Sequence, residues 1–267
     1  MNVRYLTRFI ALSYVGIIVA LPVALVFWRG LEGGVGPLIE ALTDEEAAEA
    51  FRLSFLSAGA VSLASMVFGT AVAFALVRLD FPGRRALDAL VDLPLALPTA
   101  VTGLTLASIF GPISPLGGWL EAHGMPILYR PIAVYIACLV VTVPFGIRSV
   151  QPLLAAVDRA EEEAAATMGA GPVRTFVSVI FPAIRTGIVS GAALTFARAL
   201  GEFGAVVFIA GTEPFRTQVA STFVYSRIEG FDFKGAAAAS IVVLTISFLM
   251  LTTARIVEER TSGRIRP

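Results

Sequence analysis

The chain is poor in the residue types that build a soluble active site. Of its 267 residues one is cysteine, Cys138, one is histidine, His123, and one is lysine, Lys234; every other basic residue is arginine. A lone cysteine excludes an intrachain disulfide framework. A lone histidine excludes a His-rich metal centre. Lys234 is followed by Gly235, so the Gly-Lys-Ser/Thr phosphate loop of nucleotide hydrolases is missing. No clustered His and Cys and no paired carboxylates stand at an active-site spacing, which disfavours a membrane enzyme and predicts no cofactor in this chain. Charge is scarce as well: 15% of residues are charged, where soluble domains run near a quarter. Twenty acidic residues balance twenty basic ones, and zero net charge argues against a nucleic-acid partner.

What the chain has instead is apolar length. Hydrophobic residues make up 57%, in runs that reach the roughly 20 residues needed to cross a hydrocarbon core of about 30 Å. The pattern predicts an all-α integral membrane protein with membrane lipid around six spans: Phe9–Trp28, Ser54–Val77, Ala89–Phe110, Ile132–Ile147, Thr186–Ala210 and Ala236–Ala254. The first run is too long for a secretory signal core and lacks a clear A-x-A site before Arg29, so it is retained. Six basic residues (Arg29, Arg52, Arg130, Arg216, Arg227 and Lys234) fall on one side. Arg198 lies inside a span, and the remaining thirteen fall on the other side. The arginine-rich side is cytoplasmic by the positive-inside rule, which puts both termini there. The expected division is residues 1–53 as the first span with an external segment, 54–254 as a five-helix core containing a cytoplasmic loop at 151–185, and 255–267 as a cytoplasmic tail.

Between the spans, Gly36–Phe51 is acidic, with Thr43 and Glu46 at capping-box spacing; it predicts an external helix lying against the bundle. Gly111–Arg130, rich in Gly and Pro, reads as a loop. Within the third span Pro94 and Pro98 free two backbone carbonyls on one face, and Thr99, Thr102 and Thr105 add a polar stripe. That face either lines a pathway or packs through hydroxyls against another helix.

The cytoplasmic loop is the most telling stretch. Asp158 is placed to cap a helix with Glu161, Glu162 and Glu163 in its first turn, where acids favour the positive dipole end. Gly169 ends it and Gly171-Pro172 turns the chain. A second short helix from Val173 to Pro182 carries Phe176 and Ile180. Ala165, Ala166 and Gly169 are expected on an exposed corner that lets another backbone approach. Glu163-Ala164-Ala165, three residues, Gly169, nine residues, then Val179-Ile180-Phe181-Pro182 resembles the EAA loop of ABC importer permeases, with Val179 and Phe181 replacing the usual Ile and Leu.

That resemblance implies the type I ABC importer permease fold in a bacterial inner (cytoplasmic) membrane. It makes Glu163, Ala164, Ala165, Gly169 and Pro182 the ATPase-coupling set, with the first helix of the loop seated on the ATPase. ATP would be bound and hydrolysed by that partner chain. ATPase closure would pull the loops together and open the pore outward.

A charged pair sits in the fifth apolar run. Arg198 and Glu202 are four residues apart, so they share a helix face and can pair, either as a self-neutralising packing pair or as a gate in which Arg198 meets an oxyanion. Gly201 and Gly204 would let a neighbouring helix close in. The segment Ala197–Ala205 is similar to one shared by sulfate, molybdate and tungstate permeases. Leu93–Gly103 and Glu213–Thr217 resemble the T-type sulfate/thiosulfate permeases, and the retained first span also favours sulfate. The resemblance implies a second, W-type permease subunit and a periplasmic or lipid-anchored sulfate-binding protein. It makes Arg198, Glu202, Gly201, Gly204, Thr99 and Thr102 the pathway or gate set. A molybdate or tungstate permease, and an ATP-independent anion channel or secondary transporter, remain as alternative readings.

Overall fold

The computed structural model describes residues 3–32 and 34–262; the end of the expected tail, 263–267, lies outside the described residues. Fourteen α-helices occupy these residues. α1 (Val3–Val15) runs through a π-helical turn, Gly16–Ala20, into α2 (Leu21–Gly30). α3 (Gly36–Thr43) precedes α4 (Glu45–Arg78), and α5 (Arg84–Ala96) precedes α6 (Thr99–Phe110). α7 (Pro115–Ala122) leads to α8 (Pro131–Ala156). α9 (Arg159–Thr167), α10 (Pro172–Thr175) and a second π turn, Phe176–Ile180, lead into α11 (Phe181–Leu200). α12 (Gly204–Ile209), α13 (Ala220–Glu229) and α14 (Phe233–Ser262) complete the chain.

Among the described residues, five helical stretches are long and apolar enough to cross a membrane: Tyr5–Gly30, Glu45–Arg78, Pro131–Ala156, Pro172–Leu200 and Phe233–Ile256. α5 and α6 pass the same test only as a pair, bent by 112° at their junction. The expected third span is therefore broken. Pro98 forces Leu97 out of the helical region (ψ 139°) because a residue before proline clashes in the α conformation. Pro94, four residues earlier, stays inside α5.

The core is a packed trio of α4, α8 and α11. Small residues set its spacing. A Cβ on Gly146 would come within 2.7 Å of the Ser65 carbonyl oxygen. A Cβ on Gly187 or Gly191 would collide with Ser149. Ser62 Oγ donates to the Ala192 carbonyl at 2.7 Å, joining α4 to α11. Without water between helices, such close approach is how membrane helices gain packing energy.

Several expected boundaries shift; the fourth span, expected to end at Ile147, runs as α8 to Ala156. The second span begins at Glu45: Asp44, not Thr43, is the N-cap and accepts from the Ala47 amide at 3.0 Å, while the Thr43 hydroxyl turns back to the Ile39 carbonyl. The 34 residues of α4 make a rod of about 50 Å, longer than the hydrocarbon core, so it carries the acidic segment out of the membrane in line with the span. Burial opposes ionisation of Asp44, but the Ala47 amide and Arg227 outweigh it and hold its carboxyl below the usual carboxylate range. The Gly111–Arg130 segment contains α7, begun by Ser114, whose hydroxyl accepts from the Gly117 amide at 2.8 Å, and by Pro115 at the first turn.

The fifth span starts at Pro172 and ends at Leu200, so Pro182 lies within a continuous helix. Each π turn ends two residues before a proline, Pro22 or Pro182. The wide turn bonds Leu21 N–H to the Gly16 carbonyl and Phe181 N–H to the Phe176 carbonyl. It gives the helix slack where the proline ring would clash with the preceding turn. At the other end of this span, Gly201 follows Leu200 with non-helical backbone, and the chain restarts as α12.

Candidate functional site

One candidate site is the corner built by α9. Asp158 Oδ1 accepts from the Ala160 amide at 3.0 Å and starts the helix. Gly169, with φ of 84°, ends it in a left-handed conformation that glycine adopts at no steric cost. Glu163, Ala164 and Gly169 are exposed, and of the expected corner residues Ala166 and Gly169 are exposed. Ala165 is not: it is buried, so the exposed small residues are Ala164, Ala166 and Gly169. α9 packs inward through Glu162 and Ala165, which lie three residues apart on one helix face. Met168 and Val173 stand beside the corner, 82% and 78% exposed, giving it an apolar edge that the motif does not contain.

α9 is tied to the bundle by residues the motif does not name. Arg78, the last residue of α4, pairs with Glu162 at 2.7 Å, and both side chains are largely buried. Arg78 also donates to the Val157 carbonyl at 2.9 Å. The ends of α4 and α8 and the start of α9 thus meet at one guanidinium. A second clamp holds α5 to α8. Arg148 Nε and Nη2 grip both oxygens of Asp92 at 2.8 and 2.7 Å, and Nη1 meets Asp88 at 2.6 Å. Asp88 and Asp92 sit one helical turn apart, and two like charges on one helix face call for a cation from another element; that spacing was the available signal. Arg78 left none, because an arginine closing an apolar run reads as an ordinary membrane boundary.

The other site lies at the break between α11 and α12. Arg198 and Glu202 do pair, at 2.7 Å, but not along one helix. Arg198 is in the last turn of α11 and its side chain is one-third exposed, while Glu202 lies beyond the helix end and is 1% exposed. The pair therefore marks the end of the span rather than its middle. The second Glu202 oxygen accepts from the Ala205 amide at 2.8 Å, capping α12. Ser221 Oγ donates to the Glu202 carbonyl at 2.5 Å, fastening the turn to α13.

α12 and α6 touch backbone to backbone. A Cβ on Gly103 would lie 2.6 Å from the Ala205 carbonyl oxygen, and one on Gly204 would strike Thr99. Gly204 and Thr99 are thus brought together. Gly201 is not part of this contact: a Cβ there would meet nothing nearer than 3.9 Å, and its place is in the chain break. The threonine stripe divides. Thr102 is buried, its hydroxyl without a hydrogen-bond partner among the described residues. Thr105 is exposed and donates to the Val101 carbonyl.

The comparisons with known proteins agree with this architecture. Residues 65–263 match the family model described as binding-protein-dependent transport system inner membrane component. The chain is 38% identical to the sulfate transport system permease protein CysT of Escherichia coli (strain K12) over 255 residues, 96% of this chain and 92% of that one. It is 38% identical over 242 residues to a probable sulfate transport system permease protein of Nephroselmis olivacea, covering 91% and 85%. Among solved structures, a chain of a bacterial alginate ABC transporter in complex with an alginate pentasaccharide-bound periplasmic protein superposes with TM-score 0.80. That match has 16% identity and covers 97% and 94% of the two chains. A chain of the MetNI methionine ABC transporter in an inward-facing conformation gives TM-score 0.53 at 18% identity, covering 84% and 100%. At such identities the likeness speaks for the fold. The protein is a multi-pass membrane transport subunit and not an enzyme; it belongs to the binding-protein-dependent transport system inner membrane component family and, within it, to the CysT group of permeases.

Proposed function

We propose that this chain is the T-type permease subunit of an ATP-driven importer that carries sulfate and thiosulfate across a bacterial inner membrane. The observation that carries the substrate is the 38% identity to sulfate permeases along nearly the whole chain. Both termini and α9 face the cytoplasm, in keeping with the thirteen-to-six asymmetry of basic residues. A separate ATPase binds ATP and seats α9, with Glu163, Ala164 and Gly169 at the contact, Ala165 packing the helix from behind and Pro182 in the first turn of α11. A W-type permease chain completes the pore, and a sulfate-binding protein delivers the anion from outside.

Displacement of α9 has a defined route inward. Arg78 couples α9 to the ends of α4 and α8, and the π turn joins the same loop to α11. At the other end of α11 stands Arg198. Its guanidinium offers a fork that fits two oxygens of a tetrahedral dianion. Glu202 holds that fork in place while no anion is present. The 2.7 Å pair then opens and closes as α11 moves against α12.

Uptake of radiolabelled sulfate by cells expressing the whole importer tests the substrate. Thiosulfate should compete at concentrations similar to sulfate. If molybdate blocks uptake at far lower concentration than unlabelled sulfate does, the substrate assignment is wrong.

A further inference from the structure

α13 has two opposed faces. Ala220, Phe223 and Arg227 share one of them by helical spacing. Ala220 and Phe223 are buried there among Ala47, Ala50 and Phe51 of α4 and Ala239 of α14. The Ala220 amide donates to Ser54 Oγ at 2.7 Å. Arg227, its guanidinium 4.8 Å from the centre of the Phe223 ring, pairs with Asp44 at 2.5 Å and with Asp232 at 3.5 Å. α13 is therefore fixed at both ends along the start of α4.

The other face carries Ser221 and Tyr225, one turn apart, and it meets the break between α11 and α12. Ser221 Oγ donates to the Glu202 carbonyl at 2.5 Å. The Tyr225 ring packs on that of Phe203, with centroids 5.0 Å apart and planes tilted by 50°. α11 has ended at Leu200 and α12 starts at Gly204. In the gap a buried carbonyl must find its donor outside the helical ladder, and for Glu202 that donor comes from α13.

The two partners in the Arg198–Glu202 pair are thus placed by different elements. Arg198 is carried by the last turn of α11, a helix unbroken from Phe181. Glu202 lies beyond that helix, 1% exposed, between the Arg198 guanidinium and the Ala205 amide. Its backbone decides where its carboxylate stands, and α13 holds that backbone at residue 202 and at the next residue, Phe203. The 2.7 Å between the charges is set by α11 from one side and by α13 from the other. α4, to which α13 is fixed, carries at its far end Arg78 and the tie to α9.

We infer that Ser221 and Tyr225 are positioning residues for transport: they hold Glu202 where it keeps the Arg198 fork in place, and so act on the anion through Arg198. This rests on the role of Arg198 proposed above. A residue that merely stitched α13 to the bundle would matter equally whatever stood at position 198. A residue that works through the charge pair matters while the pair is whole, so its effect and that of Arg198 do not add. Ser54 supplies the comparison, because it holds the same helix from the opposite face.

The test is a double-mutant cycle on radiolabelled sulfate uptake by the complete importer, each rate divided by the amount of assembled complex in the membrane. Ser221→Ala should slow uptake by roughly fivefold, as the loss of one hydrogen bond would, and Ser221→Thr, which keeps the hydroxyl, should restore it. Tyr225→Ala should act likewise, with Tyr225→Phe, which keeps the ring, restoring uptake. In an Arg198→Lys importer, Ser221→Ala should slow uptake by less than about twofold more, since lysine has already lost the fork that Glu202 holds. Ser54→Ala should instead combine additively with Arg198→Lys. Should Ser221→Ala not assemble, Tyr225→Ala runs the same cycle. Wild-type uptake by Ser221→Ala and Tyr225→Ala, or equal fold losses in both backgrounds, overturns the inference and leaves the role of Arg198 standing. Non-additivity of the same size with Ser54→Ala overturns it too, by showing that any loosening of α13 suffices. Wild-type uptake by Arg198→Lys defeats the role of Arg198 and the inference together.

Discussion

At the scale of single residues, the question is what one buried carboxylate and one reachable guanidinium do together. Glu202 is 1% exposed, and an ionised carboxylate so placed needs a partner. Arg198 and the Ala205 amide supply two. The Arg198 side chain stays one-third exposed, so its guanidinium can be reached from outside the protein while it neutralises Glu202. We expect Arg198→Lys to insert and assemble normally while uptake falls by about tenfold or more, since lysine keeps the charge and loses the fork. Arg198→Ala should bring uptake to background in a complex that purifies intact. Wild-type uptake by either variant would return the pair to a packing role. Asp44 offers a pH test of the fold. Its pKa is lowered in the folded protein, so its stabilisation is fully present above the unfolded value near 3.9 and is lost as pH falls below that value through the folded one. Asp44→Ala removes the cap and should cost about 1 kcal/mol at neutral pH, a difference from wild type that shrinks on acidification. An equal melting difference at pH 7 and pH 3 would contradict it.

At the scale of elements, the chain works through breaks as much as through helices. α5 is clamped to α8 by Arg148, while α6 is locked to α12 through Gly103 and Gly204. The 112° bend between them therefore gives one broken span two separate anchors, and α12 and α8 share a buried core through Ala205, Val206, Val134 and Ala137. Gly103→Val would drive a side chain into the Ala205 backbone and should cost about 1–3 kcal/mol, seen as a lower melting temperature of the purified subunit. An unchanged melting temperature would show that the two helices part easily. Glu162→Gln should leave the ATPase bound but slow ATP-driven uptake several-fold, because Arg78 then ties α9 less firmly; unchanged uptake would remove Arg78 from the route.

Much of this was legible in the sequence. Apolar run length located the spans, and Asp158 and Gly169 bounded α9, because caps act through their own neighbours. The breaks were not legible. Pro98 ends a helix while Pro94, Pro144 and Pro152 sit inside one, and which outcome wins depends on the packing around each. The Arg198–Glu202 pair was foreseeable by spacing, but spacing could not show the helix stopping at Leu200 between them. The close approach of α6 and α12 joins residues about a hundred positions apart, and no local pattern encodes it.

At the scale of the whole molecule, the proposed function gives the subunit a working face on α9. In that proposal Glu163, Ala164 and Gly169 meet the ATPase. Glu163→Lys reverses the charge of an exposed residue that has no ion-pair partner among the described residues, so it should abolish co-purification of the ATPase without lowering the amount of permease in the membrane. ATPase retained at wild-type level would move the contact elsewhere. The coupling itself has the most direct test: the initial rate of radiolabelled sulfate uptake in cells carrying the complete importer, compared with cells in which only the ATPase subunit is deleted. Uptake should fall to background without the ATPase; uptake that persists at the wild-type rate would make this chain a channel or secondary transporter and contradict the account at its centre.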